Sequence, residues 1–204
     1  MIKSRLRKDV LTEATVSGKT IVSVDIQPEY KDYITFIPKW IDFINSSADN
    51  NSIVFLYNGP ELGMITEQNY KYWLLEQGIN EDVIDTAKFF DKGYAYFRYC
   101  MDESIDDEQI VHLIKFMIAN NVNDSRDMDK DAWKNFIKQY GSEDVRELMQ
   151  QSDEMIYIPD LMDFIKRFSN IVLVGGGITE CLKEVELALM ALDKPYKVLS
   201  KYTY

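Results

Sequence analysis

The stretch Asn170-Ile171-Val172-Leu173-Val174-Gly175-Gly176-Gly177-Ile178-Thr179-Glu180-Cys181, running on to Leu192, decides the fold. Its four apolar residues, Ile171 to Val174, form the short continuous run that a strand buried in a parallel sheet carries. Three glycines then permit a tight turn and close backbone approach. The period next becomes helical, with Leu182, Val185, Leu189 and Leu192 on one stripe. Strand, sharp loop and helix follow in that order. Cys181 falls in the first turn of the helix. Unpaired N–H groups and the positive end of the helix dipole favour a thiolate there, which makes Cys181 the candidate reactive centre.

Upstream of this stretch, β-like and helical patterns alternate. Residues 20–26 are β-branched and apolar and predict a first strand that ends on Asp25, with Gln27 two residues on. Asp25 reads either as a ligand-facing carboxylate at a strand's carboxyl end or as a cap of the turn before Pro28. Residues 35–45 carry helical spacing with Pro38 in the first turn. Residues 52–57 predict a second strand, stopped by Asn58-Gly59-Pro60. Residues 66–77 predict a helix capped by Thr66 and ended by Gly78. Residues 84–90 predict a third strand, with Lys92 just past it. From about residue 100 to 158 the alternation lapses into helices over 106–120, 129–140 and 142–150, an insertion of about sixty residues that is too long for a plain loop. A short strand over 155–158, a helix over 160–168 and a last strand over 197–201 complete the reading. The first 19 residues read as a solvated surface arm or a short helix.

The 204 residues, 46% of them hydrophobic, suit one α/β domain with a sizeable core. A net charge of -11 argues against nucleic acid as a partner, because phosphate binders carry basic patches. Two cysteines make no disulfide scaffold, and Cys100, with no partner set, reads as structural. The single His112 reads as a surface or half-buried residue rather than a metal ligand. No apolar run reaches the roughly 18 residues that span a bilayer, and the N-terminus lacks a signal peptide's apolar core. No membrane partner and a cytoplasmic location are the expectation. The glycine run does not make a dinucleotide fingerprint: Glu180 stands at the third glycine position, where a carboxylate repels a pyrophosphate. Glu180 and Glu184, one turn apart, read as a solvated face.

Asp25, Lys92 and Cys181 all fall at or just past carboxyl ends of predicted strands, and in a parallel sheet those ends share one rim. They supply a base, a cation and a nucleophile. Asp25 would take the thiol proton, Lys92 would hold the anions together, and backbone N–H groups from Gly177 to Cys181 would receive an oxyanion.

In this order, Val24-Asp25-Ile26-Gln27, then Phe90-Asp91-Lys92-Gly93-Tyr94-Ala95-Tyr96-Phe97, then Val174-Gly175-Gly176-Gly177-Ile178-Thr179-Glu180-Cys181, the chain resembles the isochorismatase-like cysteine hydrolases, which include nicotinamidases. The resemblance covers about residues 18–98 and 158–200. It implies a three-layer α/β/α Rossmann-like sandwich with a mostly parallel central sheet, here interrupted by the helical insertion. It also implies an Asp25-Lys92-Cys181 triad working through a covalent thioester-type intermediate. A small amide or a related C–N or ester-like bond would be cleaved. Gln27, Gly177, Ile178 and Tyr94 would contact the substrate or its oxyanion, and the chain would form a homo-oligomer. Lys88 is the alternative lysine, and Tyr30, Tyr57, Tyr94 and Tyr96 are the candidate pocket walls.

Three departures from the family bear on this. The insertion lies where the family is short. The region after the second strand, Tyr57-Asn58-Gly59-Pro60-Glu61-Leu62-Gly63, holds no histidine, so neither the nicotinamidase metal nor any other cofactor is expected. Thr179 stands one place late in the loop before the cysteine. A protein of this shape without chemistry, binding a ligand or partner through its insertion, is the competing expectation.

Overall fold

A computed structural model of the chain describes residues 17–93, 105–141, 143, 145, 147 and 160–204. Contacts divide the chain into two compact units, Met1–Gly93 with Phe168–Gly177 and Pro195–Tyr204, and Tyr94–Arg167 with Ile178–Lys194.

The first unit is built on a five-stranded sheet whose neighbouring strands all pair in parallel. Its strands are β1 (Thr20–Val24), β2 (Ser52–Tyr57), β3 (Lys88–Asp91), β4 (Ile171–Gly175) and β5 (Tyr196–Val198), in the order β3-β2-β1-β4-β5. The chain starts in the middle, steps out through β2 to β3, and returns to the other side of β1 at β4. The switch point of this α/β sheet therefore lies between β1 and β4, where open sheets of this class bind ligands at the carboxyl ends. The helices of this unit are α1 (Ile37–Ser47), α2 (Glu67–Gln77) and the short α3 (Glu81–Thr86).

Residues of one sheet face, Ile21, Ile53, Phe55, Tyr57, Val172 and Val174, form one core cluster with Trp40, Phe43 and Ile44 of α1 and Tyr70 and Leu74 of α2. Val22, Val24, Val54, Leu56 and Leu173 point the other way and are buried as well, which is why these strands read as continuous apolar runs. The α1 indole is held to the sheet by its Nε1, which donates to Ser23 Oγ at 3.2 Å. Asn45 ties α1 to the turn beyond α2, donating to the Gly78 carbonyl at 2.9 Å and accepting from the Asn80 amide at 3.0 Å. Thr66 caps α2 by accepting from the Asn69 amide, and Gly78 ends it with φ +103°.

The second unit, in its described residues, is helical: α4 (Asp107–Ala119), α5 (Lys130–Tyr140), α6 (Asp160–Ile165) and α7 (Cys181–Ala191). Glu143, Val145 and Glu147 are helical too. Asp106 and Asp129 cap α4 and α5 with their carboxylates, and Gly141 closes α5 in the left-handed region. Ile110, Leu113, Ile114 and Met117 of α4 share a core with Trp133 and Phe136 of α5, Met162 of α6 and Leu187 and Ala188 of α7. His112 is stacked on Tyr140, with ring centroids 4.4 Å apart, and its Nε2 lies 3.9 Å from Glu108 Oε1. No helix among the described residues is long and apolar enough to cross a membrane.

Four expectations are corrected. Residues 84–86 belong to helix α3 rather than to a strand, because Asn80 at the cap position and Glu81 and Asp82 in the first turn start a helix there; β3 begins only at Lys88. The first helix runs two residues later than the spacing predicts, over Ile37–Ser47, with Pro38 in its first turn. The last strand stops at Val198 and turns into a 3-10 segment at Ser200–Tyr202. Glu184 does not belong to a solvated face: it is 1% exposed, on a helix whose buried residues also include Leu182, Val185, Leu187 and Leu189. The terminal arm up to residue 16, the strand expected over 155–158, Cys100, Tyr94 and Tyr96 lie outside the described residues, as does most of the stretch 142–150.

Candidate active site

Three neighbouring strands each end in a polar residue that is almost wholly buried. Asp25 follows β1, Asn58 follows β2 and Lys92 follows β3, and they are 0%, 5% and 2% exposed. The parallel ladder continues one step past the strands to place them: the Asp25 amide donates to the Leu56 carbonyl and the Lys92 amide to the Tyr57 carbonyl, both at 2.9 Å. Asp25 leaves the strand with φ +47°, a left-handed conformation that aspartate tolerates better than most residues.

The side chains meet. Lys92 Nζ lies 3.2 Å from Asp25 Oδ2, and Asn58 Nδ2 donates to the same oxygen at 3.4 Å. Asp25 Oδ1 is buried without a hydrogen-bond partner among the described residues, and so is Asn58 Oδ1. The ammonium offsets the cost of burying a carboxylate, and the second carboxylate oxygen accepts from no donor among the described residues. A carboxylate held in this way can act as a proton acceptor.

The surroundings fix this arrangement. Gln27, 0% exposed, accepts from the Asn58 amide through Oε1 at 2.9 Å, and its Nε2 donates to Glu29 Oε2 at 3.0 Å and to the Asn58 carbonyl at 3.4 Å. Asn58 Nδ2 also donates to the Tyr30 hydroxyl at 3.1 Å, and that hydroxyl donates to Met64 Sδ at 3.5 Å. The Asp91 carboxylate accepts from the Gly59 and Gly93 amides at 2.9 and 3.1 Å, which pins the loops after β2 and β3 on both sides of Lys92. A Cβ at 59 would lie 1.8 Å from an Asp91 carboxylate oxygen, so a larger residue there would have to push the Asp91 side chain aside. Tyr70 donates to the Ile26 carbonyl at 2.8 Å from below; burial, then the Asp25 charge, pushes its hydroxyl well above the ordinary tyrosine range.

At the switch point, Gly175 ends β4 with φ +78°, and a Cβ there would come within 2.4 Å of the Val24 carbonyl. Gly176 also has positive φ, and its carbonyl accepts from the Tyr204 amide at 3.2 Å. Gly175 is thus needed for the close approach of β1 and β4. Gly177 is buried and closes this part of the first unit.

Cys181 belongs to the second unit, where it opens α7 and is half-buried. Glu180 precedes it at the cap position without a side-chain cap, and Ile178 is 44% exposed. Of the residues singled out by sequence, Asp25, Lys92 and Gln27 come together, and Gly177 lies in the same unit. Lys88, the alternative lysine, instead holds its ammonium 4.8 Å above the Phe168 ring. Among the candidate pocket walls, Tyr30 joins the cluster and Tyr57 is 4% exposed. The sequence reads Asn58 only as a turn residue. The signal that finds it is topological: it is the first residue past β2, the strand between those that carry Asp25 and Lys92.

No three His, Cys, Asp or Glu side chains gather as a metal site among the described residues. A groove of about 570 Å³ lies elsewhere in the first unit, between Phe36, Lys39, Phe43, Asn50 and Tyr202. The cluster at the strand ends, with its committed charges, is the better candidate for chemistry than this open groove. No family model, curated protein or solved structure matches the chain.

Proposed function

We propose that the protein is an isochorismatase-like cysteine hydrolase that cleaves a small amide or a related carbon–nitrogen or ester-like bond. The observation that carries this reading is the buried Asp25–Lys92 ion pair at the ends of β1 and β3, on either side of β2, with one carboxylate oxygen without a donor among the described residues. The position of Cys181 at the start of a helix that follows a glycine loop supports it further.

In this mechanism Asp25 takes the proton of the Cys181 thiol, and the sulfur attacks the acyl carbon. A C–S bond forms and the carbonyl electrons move to oxygen. Collapse of that oxyanion breaks the C–N bond, and the proton held by Asp25 passes to the departing nitrogen. A water then gives its proton to Asp25 as its oxygen attacks the thioester. The C–S bond breaks, the acid leaves, and Asp25 returns the proton to sulfur. Lys92 keeps the carboxylate in place through both halves. The same proposal makes the protein a homo-oligomer acting on a small molecule in the cytoplasm, with no metal or other cofactor.

Alkylation by iodoacetamide across pH tests the reading. Cys181 should be labelled with a midpoint well below the ordinary thiol value of about 8.5, and Asp25→Asn and Lys92→Met should each move that midpoint. An ordinary midpoint that neither substitution shifts would overturn the hydrolase assignment.

A further inference from the structure

The groove of about 570 Å³ in the first unit runs along α1. Phe36, Lys39, Phe43 and Ser47 follow one another at three- or four-residue steps, so they line one side of the helix. Asn50 continues that line at the end of the 3-10 turn Ala48–Asn50. Lys201 and Tyr202, from the 3-10 segment after β5, complete the lining. Rings are fixed at one end: Phe43 stacks on Tyr202 with centroids 4.8 Å apart, and Phe36 meets Tyr202 edge-on at 6.2 Å. Two ammonium groups border these rings. Lys39 stands one helical turn before Phe43, and Lys201 holds Nζ 4.8 Å from the Tyr202 centroid. Lys39 is exposed and forms no ion pair among the described residues. At the far end Asn50 is exposed, and its side-chain amide makes no hydrogen bond among the described residues. Asp42 is the one carboxylate of the lining. In a chain of net charge -11, this groove carries a local excess of positive charge.

We infer that this groove docks an extended acidic peptide segment of a partner protein, anchored by an aromatic side chain. The inference stands apart from the hydrolase reading and does not use its residues. Length favours a chain over a compact ligand. From Lys39 to Asn50 the helical and 3-10 rises sum to about 18 Å, the span of about five extended residues. Charge sets the composition: carboxylates on both sides of the anchor reach Lys39 and Lys201, and basic residues there are repelled. The anchor ring packs against Phe36 and the Phe43–Tyr202 pair in the offset or edge-on arrangements that aromatic groups prefer. Farther along, the Asn50 amide offers both donors and an acceptor to the peptide backbone, and the Ser47 hydroxyl can do either. Such contacts read backbone rather than side chains, so the specificity lies at the ring and lysine end.

The test uses the full chain and three blocked peptides, Asp-Asp-Phe-Asp-Asp, Lys-Lys-Phe-Lys-Lys and Asp-Asp-Ala-Asp-Asp. Each is titrated while the side-chain NH2 resonance of Asn50 is followed by NMR. The first should shift that resonance and bind at least about tenfold tighter than the second and about fivefold tighter than the third. Lys39→Glu combined with Lys201→Glu should reverse the order of the first two peptides. If that variant does not fold, Lys39→Gln with Lys201→Gln should bring them within about twofold of each other. Equal binding of the acidic and basic peptides, no shift at Asn50, or a preference that the charge variants leave unchanged would overturn the inference. So would inorganic phosphate that displaces the first peptide as effectively as an excess of that peptide does, since the groove would then be a small-anion site only. Self-association of the chain that the charge variants abolish would assign the groove to a second copy and overturn the peptide assignment as well.

Discussion

Asp25 and Lys92 form a pair whose stability effect depends on which half is removed. Both are almost fully buried, and the ammonium stands 3.2 Å from the carboxylate. Lys92→Met leaves a buried carboxylate without its cation and should cost about 3–5 kcal/mol. Asp25→Asn removes the negative charge, but keeps a polar group of the same shape. The double variant leaves no buried charge from the pair and should lose less than the two single losses summed, by at least about 1 kcal/mol. Urea unfolding of the four proteins measures this, and strict additivity would mean that the two groups do not interact. Asp25, Gln27 and Lys92 were legible in the sequence because each sits next to a well-formed β pattern. Asn58 was not, since an Asn-Gly-Pro triplet reads locally as turn chemistry and nothing in it signals two buried neighbours.

At the scale of elements, strands buried on both faces read cleanly, and residues 52–57 form β2 as their composition predicts. The failure came at residues 84–86, where the short apolar pair Val83-Ile84 fits either period and the acidic start decides for a helix. The strand-to-loop junction at Gly175 was read as a place of close approach, and the structure shows what it approaches. Gly175→Ala combines a left-handed φ with a Cβ 2.4 Å from the Val24 carbonyl and 2.8 Å from Ile26 Cγ1. Gly141→Ala has a similar φ of +67° with nothing within 4 Å. The second should cost about 1–2 kcal/mol, the left-handed penalty alone, and the first at least ~3 kcal/mol, because the β1–β4 contact must also shift. Chemical denaturation compares them, and equal losses would show that the two strands have room to spare.

At the scale of the whole molecule, the order β3-β2-β1-β4-β5 is written in no local pattern; it emerges when buried strands and their crossovers are packed together. The same limit hid the division into two units. The stripe on α7 says that the helix is buried but not against what, and its Leu187 and Ala188 share a core with the helices of the insertion. Two tyrosines of the first unit's core give that unit a predictable response to alkali. Burial, then the charges of Glu67 and Asp91, pushes Tyr57 up to about 12, and burial with the Asp25 charge pushes Tyr70 well above its ordinary value. An unfolded tyrosine loses its proton near pH 10, so both groups stabilise the fold fully below that pH and progressively less above it. Tyr70→Phe removes the bond to the Ile26 carbonyl and should lower stability by about 1 kcal/mol at neutral pH. The phenylalanine protein has one fewer proton to lose on unfolding, so its urea midpoint should fall less between about pH 9 and 11 than the parent's. The two curves should therefore converge as pH rises; curves that stay parallel would show that Tyr70 does not hold its proton in the folded protein.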